Sequence, residues 1–478
     1  MFRAVFVSFV LLCLSLVTAP AAAEGPEEDL FAGAAVLERD ALLAAVAARN
    51  PALAAAHQAW EAAASRAPQE RALDNPMISY GLAPLSVAAD DVPFGQSVEV
   101  RQPLPWPGRR QARGSQAEAE ADAALQDSRE LLLELTEEAS RLYDDWYLVH
   151  RALEVNEQHR GLLETFREVA ANRYAAGLAP QQDPIQAEVE ASKLLQEREE
   201  LEADREMTQA RLDALLHRRP ELPLPPPPGR LPEPAPLDRA AGDLQEAAVA
   251  ARPELAGLDA MVRGREAGRA LAQLDNRPDV EVMASYSSMW VDAEHRFMAG
   301  VQVGLPIRKE KIAAARTEAE TRLAAARSQR EAAEMRIRAE VQEAATRYAA
   351  ALRQLALHRD RVLPATRDQI RAARAGFESG GSFLALIEAE RNLRDAELRE
   401  QEILTETWRR RAALDRAMGT PPPGPHPRPL SRERERGEKL DFLWKGGAAP
   451  SPGGWLGDGR GGQGVRFLGG DGKKGVQP

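Results

Sequence analysis

The chain has 478 residues, of which 28% are charged and 44% hydrophobic, and its net charge at pH 7 is −11. Residues 420–478 contribute +4 and Arg3 contributes +1, so residues 24–419 carry a net charge of −16. This acidic body argues against a nucleic-acid partner, because phosphate backbones reward basic patches. Cys13 is the single cysteine, so a disulfide framework is excluded as well.

The first 23 residues have the pattern of a secretory signal peptide. Arg3 precedes an apolar run from Ala4 to Val17, and three alanines stand directly before a cleavage site at Glu24. The run is shorter than the roughly 20 residues that a membrane-spanning helix needs, although an N-terminal anchor is the alternative. We therefore predict a signal peptide over 1–23 and an N-terminal segment over 24–35.

A tandem duplication organises the rest of the chain. Three pairs of residues recur at spacings of 201 to 203: Pro76 with Pro278, Pro105 with Pro306, and Gly177 with Gly380. Recurrence at one period is how repeated structural units show themselves in a sequence. We predict two repeats, 36–219 and 237–419, joined by a proline-rich linker over 220–236. The glycine- and charge-rich residues 420–478 offer little apolar surface and are predicted to be a disordered tail.

Each repeat contains two short segments in which apolar residues alternate with polar or small ones. Phe297, Ala299, Val301 and Val303, for example, alternate with Met298, Gly300 and Gln302. A period of two predicts strands, and we place them at about 76–85 and 96–104 in the first repeat and at about 279–290 and 297–305 in the second. Each pair forms a β-hairpin, and the first hairpin has an acidic loop at Asp90 and Asp91.

A long helical pattern follows each hairpin. In the first repeat, apolar residues recur every seven positions at Leu125, Leu132, Ala139, Trp146 and Leu153. This heptad spacing is typical of coiled-coil helices. We predict long helices over 108–175 and 308–377, a glycine-bearing turn after each, and return helices over 184–217 and 384–418.

Four strands from one chain cannot close into a barrel. The open edges of such a sheet cannot lie in lipid, because their unpaired backbone groups have no water to bind. Self-association solves this, because three chains supply twelve strands. The fold class we expect is mainly α with a small β part: a duplicated β-hairpin plus long coiled-coil helices. Three copies would supply a twelve-stranded barrel, and their long helices would wrap into a hollow tube.

The duplicated plan resembles the TolC-like outer-membrane efflux family. The resemblance is carried by Asn75-Pro76, by the stretch from Gln102 to Arg110 and by the turns at Gly177 and Gly380, and it covers residues 36–419. It implies a homotrimer that forms a twelve-stranded β-barrel in outer-membrane lipid and an α-helical tunnel through the periplasm. It also implies a periplasmic adaptor (membrane fusion) protein and an inner-membrane pump of the RND type as partners. The Pro-Trp-Pro-Gly-Arg-Arg junction is most similar to members that serve heavy-metal cation pumps.

The resemblance also suggests roles for particular residues. We expect the two turns, at Gly177 with Leu178 and at Gly380 with Ser382, to be the adaptor-docking tips. Asp183 is a candidate for a ring of three carboxylates at the aperture, although an acid stabilised by the helix dipole is an equally simple interpretation. Gly161 and Pro364 each lie 16 residues before their turn glycine and are candidate helix bends.

No enzymatic motif, cofactor site or metal site is expected, because the seven histidines show no metal-ligand spacing and no nucleotide or nucleophile motif occurs. The function predicted is a passive exit duct for substrates of an efflux pump. Two alternatives stay open: the duct of a type I protein-secretion system or drug exporter, and a periplasmic coiled-coil adaptor or scaffold. The transported substrate is not readable from the sequence.

Overall fold

The computed structural model describes residues 31, 33–87, 94–220, 222–290 and 292–421. The predicted signal peptide, Asp90 and Asp91 of the acidic loop, and residues 422–478 of the predicted tail lie outside the described residues. In the described part of the chain, no helix is both long enough and apolar enough to cross a membrane.

Both halves of the chain follow the same plan, in which short helices precede a two-stranded hairpin, a long helical segment and a return helix. The first half contains α1 (Arg39–Arg49), α2 (Pro51–Ala64), α3 (Arg66–Arg71), β1 (Met77–Leu82), β2 (Gln96–Leu104), α4 (Arg109–Ala175) and α5 (Gln182–Leu215). The second half contains α6 (Ala241–Ala251), α7 (Pro253–Leu274), β3 (Asp279–Ser287), β4 (Phe297–Gly304), α8 (Lys309–Leu357), α9 (Leu363–Glu378) and α10 (Phe383–Ala417). The mainly helical, duplicated fold class is therefore confirmed.

The second long helix differs from the prediction of one continuous helix over 308–377. A π-helical turn at His358–Val362 separates α8 from α9, and Pro364 is at the start of α9. Proline has no backbone N–H to donate to the residue four positions earlier, so the regular ladder cannot continue through it. In the first repeat α4 runs through Gly161 without a break, as one helix of 67 residues.

The two hairpins form one antiparallel sheet in the order β1-β2-β3-β4. The central pair joins the repeats, with Val100 of β2 opposite Ala284 of β3. β1 and β4 are the outer strands. The sheet adjoins the N-terminal end of α4, and the turn after α4 lies at the other end, about 100 Å away at 1.5 Å per residue.

The long helices pack side by side in a fixed order. α5 packs on α4, α4 on α10, and α10 on α9, so that α5 and α9 take the outer positions. Near the middle of α4 the side chains of Tyr143, Trp146 and Tyr147 are fully buried against α1 and the helices of both repeats. This aromatic cluster is the largest apolar core in the described chain.

Residues 222–236, which we call the strap, lie across this core instead of acting as a loose connector. Leu224 and Leu231 are buried in it. Donors from distant helices bind strap carbonyls: Trp146 Nε1 to Pro225 (3.1 Å), Leu37 N to Pro226 (2.8 Å), Arg151 Nη1 to Gly229 (3.0 Å) and Trp408 Nε1 to Pro232 (3.2 Å). Prolines cannot donate, but their carbonyls accept, and here they bind the indole N–H groups of Trp146 and Trp408.

Candidate functional site

The turn after α4 has the hydrogen bonds of a Schellman motif. Gly177 has a φ of +71°, its N–H donates to Tyr174 O at 2.9 Å, and the N–H of Leu178 donates to Arg173 O at 2.8 Å. A residue without a Cβ adopts this left-handed conformation at little cost. The side chain of Leu178 then points into solvent and is 70% exposed.

The turn after α9 repeats this geometry. Gly380 has a φ of +98°, its N–H donates to Phe377 O at 3.0 Å, and the N–H of Gly381 donates to Gly376 O at 2.9 Å. Ser382 caps α10, with its Oγ accepting from Ala385 N at 3.4 Å. The duplicated sequence thus produces two matching helix-turn tips.

The two tips pack against each other. The Arg173 guanidinium lies 4.5 Å from the centre of the Phe377 ring and donates to the Phe377 carbonyl. An apolar cluster lies behind this contact and contains Leu163, Phe166, Ala170, Ala187, Leu194, Phe377, Phe383, Leu386 and Ile387. Residues from both repeats therefore form one composite end of the helix array.

Asp183 lies in the first turn of α5 and is half-buried. Desolvation raises the pKa of its carboxyl above the ordinary value, and the charge of Arg173 opposes this. Its position in the first turn also suits the positive end of the helix dipole. A single chain places one such carboxylate beside the tips, so the three-carboxylate ring remains a prediction.

A buried charged group connects α4 and α10 on the sheet side of the tips. His159 of α4 lies between two carboxylates of α10, with Nδ1 2.8 Å from Glu390 Oε1 and Nε2 3.0 Å from Glu397 Oε2. The His159 and Glu390 side chains are 5% and 1% exposed. Arg391, the residue after Glu390 on α10, binds Glu190 of α5. The sequence interpretation gave His159 no role; the seven-residue spacing of Glu390 and Glu397, which places both on one helix face, was the available signal.

The sheet at the opposite end has one apolar and one mostly polar face. Residues that are opposite each other in the register share a face, and one face combines Ile78, Tyr80, Val98, Val100, Val282, Tyr286, Phe297 and Val301. The other face includes Ser79, Glu99, Arg101, Glu281, Ser285 and Gln302. In the single chain the apolar face is open, with Ile78 and Phe297 more than 70% exposed.

Comparison with solved structures finds this fold in outer-membrane channels. The channel OprN aligns with a TM-score of 0.68 and 19% identity, over 80% of this chain and 90% of that chain. VceC from Vibrio cholerae aligns at 0.66 and 17%, over 80% and 96%. CmeC from Campylobacter jejuni aligns at 0.68 and 12%, over 86% and 90%. At these identities the likeness is one of fold.

Comparison with family models gives a match on both repeats. The model described as outer membrane efflux protein matches residues 42–217 and 244–420. A search of curated proteins finds no match. The two matched segments cover most of the chain and correspond to the two structural halves, so the chain belongs to the outer membrane efflux protein family.

Proposed function

We propose that three copies of this chain form the exit duct of a tripartite efflux system. The observation that carries the proposal is the open apolar face of the four-stranded sheet at one end of helices about 100 Å long. That face has the composition of a surface that contacts lipid, and its outer strands β1 and β4 need partners there. Strands from two further copies provide them, and the helices then surround a periplasmic tunnel.

The partners of this duct are a periplasmic adaptor protein and an inner-membrane pump, which we propose to be of the RND type. The tips are the parts furthest from the sheet, so they are the parts that reach towards the inner membrane. Exposed Leu178 and the open backbone around Gly380 and Ser382 offer a contact surface for the adaptor. The duct itself does no covalent chemistry; it shifts between two helix packings when the adaptor binds.

For the cargo we propose cations, with heavy-metal cations as the class that the strand-to-helix junction motif suggests. The charge of −16 on residues 24–419 supports this, because acidic linings favour cation passage. Asp183 is the proposed aperture carboxylate. In a salt gradient across a bilayer, the reversal potential should show cation preference, and Asp183→Asn should reduce it. An anion-preferring pore would refute the cargo assignment.

Fractionation of cells that express the full chain tests the localisation directly. On a sucrose gradient the mature protein should sediment with outer-membrane markers and should be released by detergent but not by high salt. Recovery in the soluble periplasm would overturn the duct and would favour a coiled-coil scaffold. A variant with Val301→Arg on the apolar face should shift towards the soluble or degraded fraction, whereas Gln302→Arg on the other face should not.

A further inference from the structure

The polar face of the sheet carries all the methionines of its strands. Methionine occurs in β1–β4 as Met77, Met283 and Met298. In the register Met77 and Met283 both lie opposite Arg101. Met298 lies opposite Ser285. Residues opposite each other share a face, so all three thioethers belong to the polar face.

The need to bury apolar surface does not explain this placement. Aliphatic and aromatic side chains dominate the apolar face, and among the described strand residues that face contains no methionine. Apart from glycines and Pro103, the other strand residues of the polar face are charged or carry a hydroxyl or amide group. A thioether differs from an aliphatic chain in its polarisable sulfur, which is a ligand for soft cations.

The side chain of Met283 lies over a glycine of the neighbouring strand. A Cβ at Gly300 would stand 2.9 Å from Met283 Cε, 3.3 Å from Cγ and 3.8 Å from Sδ, so the thioether occupies the space that a side chain would take. Glycine weakens the interior of a strand and often marks a place that another group approaches closely. At Gly300 the approaching group is the Met283 thioether.

A second thioether starts close to this position. Met298 is two residues before Gly300 on β4, so its side chain leaves the same face. Because Met283 pairs with Gly300 and Met298 pairs with Ser285, the two methionines are diagonal neighbours across β3 and β4. Diagonal neighbours are about 7–8 Å apart, within reach of long side chains. Met298 is half exposed, so its flexible chain can turn towards Met283.

A carboxylate with an unsatisfied oxygen lies beside the two thioethers. Glu281 is two residues before Met283 on the same face of β3. Its Oε1 atom is buried and has no hydrogen-bond partner among the described residues. Arg101, the nearby cation on β2, already pairs with Glu99. A buried acceptor without a partner costs free energy, and a bound cation would recover it.

We propose that Met283 and Met298, with Glu281 beside them, form a site for a soft monovalent cation of the Cu(I) and Ag(I) class. Thioethers select such ions over hard cations such as Mg²⁺. Two neutral thioethers bind the ion weakly enough to release it, as conduction requires. The inference rests on the proposed function, which makes this face the inner wall of the exit path, and it narrows the cargo from heavy-metal cations to soft ones.

Silver titration of the purified protein in detergent tests the site. Silver nitrate is added in chloride-free and thiol-free buffer to protein whose methionine methyl groups carry ¹³C. The Met283 and Met298 resonances should shift first and saturate at one ion per chain. Met283→Leu and Met298→Leu keep the side-chain volume but remove the sulfur, and each should weaken Ag(I) binding at least about tenfold. The matched control, Met335→Leu, removes a methionine that is 58% exposed on α8 and should leave the affinity unchanged.

Two glycine variants on one strand test the geometry without removing a ligand. The Cβ of Gly300→Ala would press on the Met283 thioether, whereas the Cβ of Gly304→Ala would make an ordinary contact with Asp279 Cβ at 3.5 Å. Gly300→Ala should therefore weaken Ag(I) binding, and Gly304→Ala should not. Equal affinities of the two variants would overturn the proposed placement.

The outcomes separate the site from the duct. Ag(I) binding that is unchanged in both methionine variants, weakened equally in Met335→Leu, or displaced by Mg²⁺ would overturn the site. If such a protein is trimeric and conducts in planar bilayers, the duct remains. A protein that binds Ag(I) as expected but is monomeric and gives no conductance keeps the site and loses the duct.

Discussion

The charge on His159 predicts how firmly α4 and α10 stay together as pH changes. Burial alone lowers the pKa of this imidazole, but hydrogen bonds and charges from Glu390 and Glu397 outweigh it and raise the pKa to about 9. Both ring nitrogens face carboxylate oxygens, so both donate and the ring is charged at neutral pH. The pKa of Glu397 is lowered, chiefly by its hydrogen bond to His159, and Arg367 also contacts it.

The direction of the effect follows from the raised pKa. Relative to the ordinary value of 6.5, a pKa of about 9 corresponds to stabilisation on the order of 3 kcal/mol. This stabilisation is fully present below pH 6.5 and is lost as pH rises through about 9. The lowered pKa of Glu397 acts in the opposite sense, because its contribution is lost as pH falls through the acidic range.

Hydrogen exchange at fixed protomer concentration measures this local stability. Corrected for intrinsic rates, amides of residues 155–163 and 387–400 should lose protection by up to roughly 100-fold between pH 6.5 and 9.5. In His159→Gln, a neutral side chain, protection should be lower at pH 6.5 and almost independent of pH over this range.

His150→Gln is the matched control on the same helix. Burial lowers the pKa of His150 and so moves it away from the alkaline range, and its replacement should leave the loss of protection near pH 9 intact. Protection in the unaltered chain that does not change between pH 6.5 and 9.5 would refute the charged imidazole. So would a His159→Gln variant with the original pH dependence.

Five further substitutions test the tips, the strap and the sheet. In Gly177→Ala and Gly380→Ala the added Cβ contacts no neighbouring atom, so each substitution should cost only the strain of the positive φ, about 1–2 kcal/mol. The cost should appear as a lower midpoint of thermal unfolding. A loss at one turn but not at the other would contradict their equivalence. Trp408→Phe removes the indole donor to the strap and should cost about 1 kcal/mol of stability. The strap should then be cleaved faster by a protease, and an unchanged rate of cleavage would count against the strap's role. Val301→Arg should destabilise the membrane-inserted protein by about 2–4 kcal/mol, and Gln302→Arg should destabilise it much less; both are measured as the yield of trimer. Equal yields for the two variants would refute the two-faced sheet.

The repeat and the two periodicities were enough to predict the fold class. A period of two around Phe297 and a heptad around Trp146 arise from local burial patterns, which the sequence displays directly. The turn glycines were equally readable, since a reversal needs a positive φ at Gly177 and Gly380. The short helices before each hairpin were missed, although Pro51 and Pro253, at the first position of α2 and of α7, are 202 residues apart like the other repeated pairs.

The long-range polar contacts could not be predicted from pattern. The partners of His159 lie 231 and 238 residues away, and the seven-residue spacing of Glu390 and Glu397 places both on one helix face without showing which residue they contact. The strap is a similar case, because a proline-rich stretch has no periodicity that shows which distant indoles will bind its carbonyls. Pro364 indicated that the second long helix would be interrupted, but its position alone did not show that the interruption would be a π-helical turn at His358–Val362.

The central claim is that three copies of this chain enclose an open path across the outer membrane. Purified protein, confirmed as a trimer by light scattering in detergent, is reconstituted into planar bilayers and its conductance is recorded with and without the matching adaptor. The duct account predicts discrete conductance steps that become larger or more frequent when the adaptor binds. A chain that is monomeric in detergent and gives no conductance under either condition would contradict it.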